Sequence, residues 1–394
     1  GLRRPAHGRT AAVTEDGRPS YRIATIPGDG VGPDVVAAAR AAVDAAGAAF
    51  GFAVEWSEHL AGGAAIDAHG VAIRPEDVAA CGAADAILLG AVGGPRWADP
   101  SAAVRPEQAL FALRGGLGLY ANLRPVTVHP ALIASSPVRP ELLAGVDLLI
   151  VRELTGGVYF GEREEAAAGA AGADGGRRAV DTMPYTEPEI RRVMELAFAL
   201  AADRRGHVTS VDKANVLATS RLWRTVANEV GAAHPAVTLV HQLVDSCAML
   251  LVRRPADFDV IVTENLFGDI LSDEAAVLAG SLGMLPSASL GERRTAHGTF
   301  GLYEPIHGSA PDIAGQDLAN PIGTILSAAM LLRLSLGRED AAAAIEAAVS
   351  ATLDEGFRTA DLLPPDGDER GLRRVGTGRM TAAVVDRLGA GVAA

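Results

Sequence analysis

The chain predicts an α/β fold in two lobes, with a mostly parallel sheet, and not a Rossmann fold. Three observations carry that prediction. Apolar runs that read as buried strands each end in a glycine-rich or polar loop. Helical patterns alternate with those runs, as strand–helix–strand units require. A length of 394 residues is too great for one small core and modest for two lobes.

The first elements lie in "YRIATIPGDGVGPDVVAAARAAVDAAG", a strand, a glycine turn and a helix. Gly28, Gly30 and Gly32 faintly match the dinucleotide fingerprint, but that motif needs G-x-G-x-x-G. Here the third glycine arrives one residue early and Pro33 follows it. A tight turn with Pro33 in the first helical turn is the better reading. "AADAILLGAVGGP" is a second buried strand ending in a glycine loop, and "GVDLLIVRELTGGVYFGE", "GHVTSVDKANVL" and "FDVIVTENLF" are further strands leading into loops. Helices are expected over 187–205, 219–230, 269–280, 320–336 and 339–355. The Gly/Ala-rich stretch 162–178 reads as a flexible arm, and 362–374 as a surface insertion. "GLYEPIHGSAPDIAGQDLANP" is too rich in glycine, proline, Asp and Asn to be helix or strand, and reads as an elaborate loop. Residues 1–20 lack the apolar core of a secretory signal and are expected to be a disordered leader.

Composition excludes several function classes. With 49% hydrophobic and 21% charged residues, the chain folds rather than staying disordered. A formal charge of -13 argues against nucleic acid as the main partner. No apolar stretch approaches the ~20 residues that span a bilayer, so no membrane partner is expected. Two cysteines, Cys81 and Cys247, are too few for a disulfide framework and suit a reducing, cytoplasmic location.

Several residues invite chemistry. Asp269 and Asp273, in "VTENLFGDILSDEAA", stand one helical turn apart on one face. Like charges there destabilise a helix by about 0.2–0.5 kcal/mol, so the pair is either solvated surface or the ligand set of a divalent cation. Arg114, Arg124 and Arg152 sit in strand-end or loop contexts, as structural ion pairs or as a carboxylate clamp. Lys213 is a candidate base, or else the ion-pair partner of Asp212. Tyr159 is a core tyrosine or a proton donor. Asp245 is an isolated acid in an apolar run; if buried it needs a partner, which makes it a ligand candidate. The loop 301–321 offers backbone amides, His307, and Asp312 as an acceptor for ribose hydroxyls.

Six ordered motifs, "GDGVGPDV", "VRELTGGVYFGE", "SVDKANVL", "FGDILSDEA", "GSLGMLPSASLG" and "HGSAPDIAG…ANP", together resemble the isocitrate/isopropylmalate dehydrogenase family of β-decarboxylating dehydrogenases. The likeness runs from about Tyr21 to the C-terminus, with insertions near 164–176 and 362–374. It implies a first, NAD-binding lobe of residues 21–119 and 280–394. A second lobe, 120–279, is implied to hold the dimer interface, the metal and substrate residues, and the flexible arm near 160–180. It further implies a homodimer with shared active sites, NAD, Mg²⁺ or Mn²⁺, and a small 2-hydroxy dicarboxylate as substrate. On this resemblance Asp269 and Asp273 hold the metal with Asp245 of the partner subunit, which also meets the substrate. Arg114, Arg124 and Arg152 match the substrate-carboxylate arginines, Lys213 the base (also from the partner subunit) and Tyr159 the acid. Glu107, Glu304, His307, Gly308, Ser309, Ala310, Asp312, Ile313 and Asn320 match cofactor positions.

Two specificities follow from the resemblance. Asp312 accepts ribose hydroxyls and repels a 2′-phosphate, which favours NAD over NADP. Leu110 and Phe111 stand where relatives read the malate side chain, and an apolar pair favours an isopropyl group. The implied reaction is oxidative decarboxylation of (2R,3S)-3-isopropylmalate to 4-methyl-2-oxopentanoate and CO₂, a step of leucine biosynthesis. Ala109 stands where glycine is common, Phe111 is bulkier than the usual leucine, and Gly115 replaces a frequent lysine. Ala109 and Phe111 leave open another 3-alkyl or 3-aryl malate, with isocitrate, homoisocitrate and tartrate disfavoured. A catalytically silent subunit would have lost acids or the lysine, and all are present.

Overall fold

The protein is described here by a computed structural model covering residues 12–14, 17–99, 102–166 and 176–390. Most of the expected leader, and 167–175 of the expected arm, lie outside the described residues. The chain divides into two compact units, each with helices on a mostly parallel set of strands. No helix among the described residues is long and apolar enough to cross a membrane.

The first unit runs through Leu119 and includes Val128–Pro140 and Ala276–Ala394. Val128–Pro140 was expected with the middle of the chain, but its polar groups tie it to the C-terminal segment. Ser135 Oγ donates to the Leu362 carbonyl at 2.6 Å, and Arg358 Nη2 donates to the Ala131 carbonyl at 2.7 Å. At the centre, the strand Pro19–Gly28 pairs in parallel with Ala53–Glu58 on one side and Ala86–Ala91 on the other. Thr299–Pro305 continues in parallel from Ala86–Ala91, and Pro286–Arg294 adds an antiparallel strand. Ala86–Ala91 is buried along its whole length, which explains its continuous apolar run. The helix Gly32–Phe50 begins with Pro33 in its first turn and ends at Gly51, whose φ of 71° is the left-handed cap that glycine adopts freely. Ile322–Leu334, Glu339–Asp354 and Thr377–Ala390 pack with it. Part of the expected insertion is ordered: Arg373–Arg374 pairs in parallel with Phe357–Arg358.

The second unit comprises Tyr120–Thr127 and Glu141–Ala275. Its strands lie in the order Leu119–Thr127, Asp147–Glu153, Val260–Thr263, His207–Asp212, Thr238–Leu243, antiparallel at the first pairing and parallel thereafter. Helices Glu187–Ala202, Ala218–Ala233, Val244–Arg253 and Asn265–Ala276 complete it. Beside the undescribed part of the arm, Arg163–Glu164 and Val180–Asp181 form a two-stranded antiparallel ribbon. Strand register sets Arg152 opposite Asn122 on one neighbouring strand and Thr263 on the other. Thr263 lies two residues before the helix that carries Asp269 and Asp273. Side chains at the carboxyl ends of parallel strands project where α/β proteins bind ligands.

Candidate active site

In the second unit, Asp269 is the focus of a polar cluster. Arg152, buried at its strand end, binds Asp269 Oδ1 through Nη1. The Tyr159 hydroxyl donates to Asp269 Oδ2 at 2.8 Å, and the Arg152 guanidinium lies 5.5 Å from the Tyr159 ring centre. Arg124 donates through Nη1 to Ser272 Oγ at 2.7 Å and to Asp273 Oδ1 at 3.1 Å, with Nη2 3.9 Å from Asp269 Oδ1. The repulsion expected between the two acids is therefore offset by two guanidinium groups. Burial and the neighbouring Asp269 carboxylate push the Tyr159 phenol above its ordinary range, so it stays protonated and serves as a donor.

Lys213 and Asp245 form a second cluster in the same unit. Lys213 Nζ donates to Asp245 Oδ1 at 2.6 Å, and the ammonium holds that carboxyl below the usual carboxylate range. One alternative is set aside here and one expectation corrected. Lys213 does not pair with Asp212, whose carboxylate is occupied by Arg224 in a bidentate pair of 2.8 Å each. Asp245 is not buried either: it opens the helix Val244–Arg253 with 65% of its side chain exposed. The apolar neighbours that suggested burial follow a helical period, so they turn to a different face. Within one chain, no group of three or more His, Cys, Asp or Glu capable of holding a metal is gathered among the described residues.

The first unit holds the rest. Arg114, expected in a strand-end or loop context, lies instead in the last turn of the helix Gln108–Gly116. It donates through Nη2 to Glu304 Oε1 at 2.8 Å, while its buried Nε has no partner among the described residues. On the same helix Leu110 packs partly buried against the apolar core, and Phe111 is 44% exposed. Glu107 reaches over the loop at Gly93, its Oε1 3.4 Å from where a Cβ on Gly93 would stand.

The loop after Thr299–Pro305 is irregular, as its composition implies. Ala310 has a φ of 36°, and Asp312 is exposed with its carboxylate unpaired among the described residues. His307 Nε2 is buried without a partner among the described residues, and burial lowers that imidazole's pKa. Gly308 is exposed, with open space around it. Ile313 packs with Val31, Val35 and Ala319. Asn320 is committed internally: it donates to Asp361 at 3.0 Å and accepts from the Ile322 N–H at 3.0 Å. The glycine turn 28–32 is the bed of this loop. The Val31 N–H donates to the Ser309 carbonyl at 2.8 Å, and a Cβ on Gly30 would stand 1.9 Å from that oxygen.

Sequence reasoning missed several supporting residues. Buried Asp29 accepts N–H bonds from Gly63, Ala64 and Gly93 at 2.7–2.8 Å. Glu264 accepts the N–H groups of Leu266 and Phe267, capping the helix that carries Asp269. An acid immediately before a helical pattern was the available signal. Tyr185, held by Glu153 and Glu264, and Asn265, which grips Arg152, left no comparable pattern. Burial pushes both cysteine thiols up to about 12, which excludes them as nucleophiles.

The donor sets match the groups that the resemblance implies. Asp269 and Asp273, 37% and 68% exposed, offer only hard carboxylate oxygens, as Mg²⁺ or Mn²⁺ prefers. The unpaired His307 nitrogen and Asp312 carboxylate offer polar contacts to a nucleotide.

Known proteins point the same way. The family model described as isocitrate/isopropylmalate dehydrogenase matches residues 22–384. A 3-isopropylmalate dehydrogenase of Anaeromyxobacter dehalogenans is 60% identical over 86% of this chain and 94% of its own length. Its counterpart in Moorella thermoacetica is 55% identical over 91% of this chain and 97% of its own. Among solved structures, an isocitrate dehydrogenase from Methylococcus capsulatus superposes with a TM-score of 0.79 at 33% identity, covering 94% of this chain and 99% of that one.

Proposed function

The chain belongs to the isocitrate/isopropylmalate dehydrogenase family, and from that premise we propose that it catalyses NAD-dependent oxidative decarboxylation of (2R,3S)-3-isopropylmalate in leucine biosynthesis. The observation that carries the reading is the convergence of Arg152, Arg124 and Tyr159 on the Asp269–Asp273 face, in a chain 60% identical to a relative of that activity. Asp269 and Asp273, with Asp245 of the partner subunit, would hold Mg²⁺ or Mn²⁺. His307, Asp312 and the backbone around Ser309 would hold NAD, with Glu107, Glu304 and Ile313 as further cofactor positions. When bound, NAD accepts the hydrogen and electron pair of C2, and the cation acts as a Lewis acid toward the C2 oxygen.

The chain's own residues do the rest. Arg114, Arg124 and Arg152 bind and orient the two carboxylates, and the guanidinium fork suits that geometry. Lys213, as the neutral amine, takes the C2 hydroxyl proton through a water molecule as the 2-oxo acid forms. The bond from C3 to its carboxyl group then breaks, CO₂ leaves, and its electron pair passes to the C2 carbonyl. Tyr159, held protonated, donates its proton to C3 of the resulting enolate. Leu110 and Phe111 present apolar surface to the isopropyl group.

Lys213 and Asp245 serve the partner's site in a homodimer. Met249, Val252 and Ile270 of the second unit are more than half exposed, apolar side chains that a second copy would cover. The enzyme works in the cytoplasm on a small 2-hydroxy dicarboxylate. Steady-state NAD reduction with 3-isopropylmalate, isocitrate, D-malate and a bulkier 3-alkylmalate tests the reading. Isopropylmalate should give the highest kcat/KM. Preference for the bulkier acid would overturn the substrate, and turnover of none would overturn the activity.

A further inference from the structure

Resting on that reading, we infer that Asn265 is a positioning residue that aims both the substrate-binding Arg152 and the proton donor Tyr159. Asn265 is buried at the first residue of the helix that carries Asp269. Its Oδ1 accepts from Arg152 Nε at 3.0 Å and Nη2 at 2.8 Å, so one oxygen grips one edge of the guanidinium. That grip leaves Nη1 to point at Asp269.

The choice of an amide is chemically specific. A carboxylate would hold the same two N–H groups but would neutralise the positive charge that a substrate carboxylate needs. An amide oxygen fixes the arginine's direction without adding a second carboxylate to the one that Asp269 already sets against it. Its orientation is settled by the network, because a flipped amide would face N–H against N–H.

The other end of the amide reaches the second target. Asn265 Nδ2 donates at 3.1 Å to the Gly156 carbonyl, one residue before the turn Gly157–Tyr159. The Asn265 backbone N–H donates to the Tyr185 hydroxyl at 3.0 Å, and that hydroxyl faces Glu153 and Glu264 at 3.3 Å each. Gly268 completes the clamp by lacking a side chain. A Cβ there would stand 2.6 Å from Arg152 Cγ and 2.8 Å from its Cβ, so the arginine stem passes directly over it. Arg152 and the Tyr159 turn thus share one anchor, and moving it misaligns both.

The test uses the full-length enzyme carrying N265A or N265D, with thermal unfolding, calorimetric binding of 3-isopropylmalate and of NAD, and steady-state rates. N265A should weaken isopropylmalate binding ~10-fold and lower kcat by ~10²-fold, with NAD affinity unchanged. N265D keeps the grip on the guanidinium but loses the donor to the Gly156 carbonyl, so it should unfold somewhat earlier than wild type and bind isopropylmalate at least as weakly as N265A with NAD affinity unchanged, a split that a purely structural role would not produce. Wild-type binding and rates in either variant would overturn the inference, as would NAD affinity falling in step with substrate affinity. If the wild type turns over no 3-substituted malate, the functional reading fails separately. The inference is then decided by the Arg152 Nε–H resonance. It should be sharp in wild type and N265D and broadened by exchange in N265A; an unchanged signal in N265A overturns it.

Discussion

Replacing Gly30 with alanine perturbs the bed of the proposed nucleotide loop while leaving every side chain assigned to the reaction in place. Gly30 has a φ of 60°, where an L-residue costs about 1–2 kcal/mol more than glycine. The new Cβ would stand 1.9 Å from the Ser309 carbonyl oxygen and 2.7 Å from its carbon, so the loop must retreat by roughly 1 Å to relieve the clash. That retreat stretches the 2.8 Å bond from the Val31 N–H, worth about 1 kcal/mol. The sum is about 2–3 kcal/mol of lost stability. Displacement on this scale should raise the KM for NAD about 10-fold or more while leaving calorimetric binding of isopropylmalate unchanged. Urea unfolding and the two binding measurements together are the assay. A variant with wild-type stability and wild-type NAD affinity would refute the claim that the glycine turn supports the cofactor loop.

Asp273→Asn should abolish calorimetric Mn²⁺ binding and lower kcat by ~10²-fold or more, with folding intact because the side chain is mostly exposed. Tyr159→Phe should lower kcat by ~10²–10⁴-fold with little change in isopropylmalate affinity, because it removes a proton donor and no charge. Asp312→Ala should raise the KM for NAD by about 10-fold, as loss of about 1.4 kcal/mol would, and should reduce discrimination against NADP. Lys213→Met should let the Asp245 carboxyl rise toward its ordinary 3.8, as seen by NMR titration. A depressed carboxylate contributes stability above that value and loses it as pH falls through the folded pKa, so the variant should lose stability above about pH 4 and none well below it.

Much of the fold and site was legible in sequence because it depends on local pattern. Helical period placed Asp269 and Asp273 on one face, and an unbroken apolar run marked Ala86–Ala91 as a strand buried on both sides. The illegible part depends on side chains meeting across the fold. Asp245 lies in an apolar run whose period, not its composition, determines exposure, and the helix turns it outward. Lys213 passes over its neighbour Asp212 because Arg224, a turn and a half along the next helix, reaches that acid first. Asn265 and Tyr185 have ordinary local contexts, and their roles come from partners 32 to 113 residues away. The glycine turn 28–32 reads from sequence as a tight turn before a helix, as found, but the close approach of a second backbone at Gly30 left no local sign.

The most direct test of the proposed activity is the product balance of the reaction. Purified full-length protein is incubated with (2R,3S)-3-isopropylmalate, NAD and Mg²⁺, and NADH, CO₂ and the 2-oxo acid are each quantified, with and without EDTA. Equal amounts of all three are predicted, the acid being 4-methyl-2-oxopentanoate, with chelation abolishing all and Mn²⁺ restoring all. NADH formed without matching CO₂, or undiminished turnover in excess chelator, would contradict the mechanism.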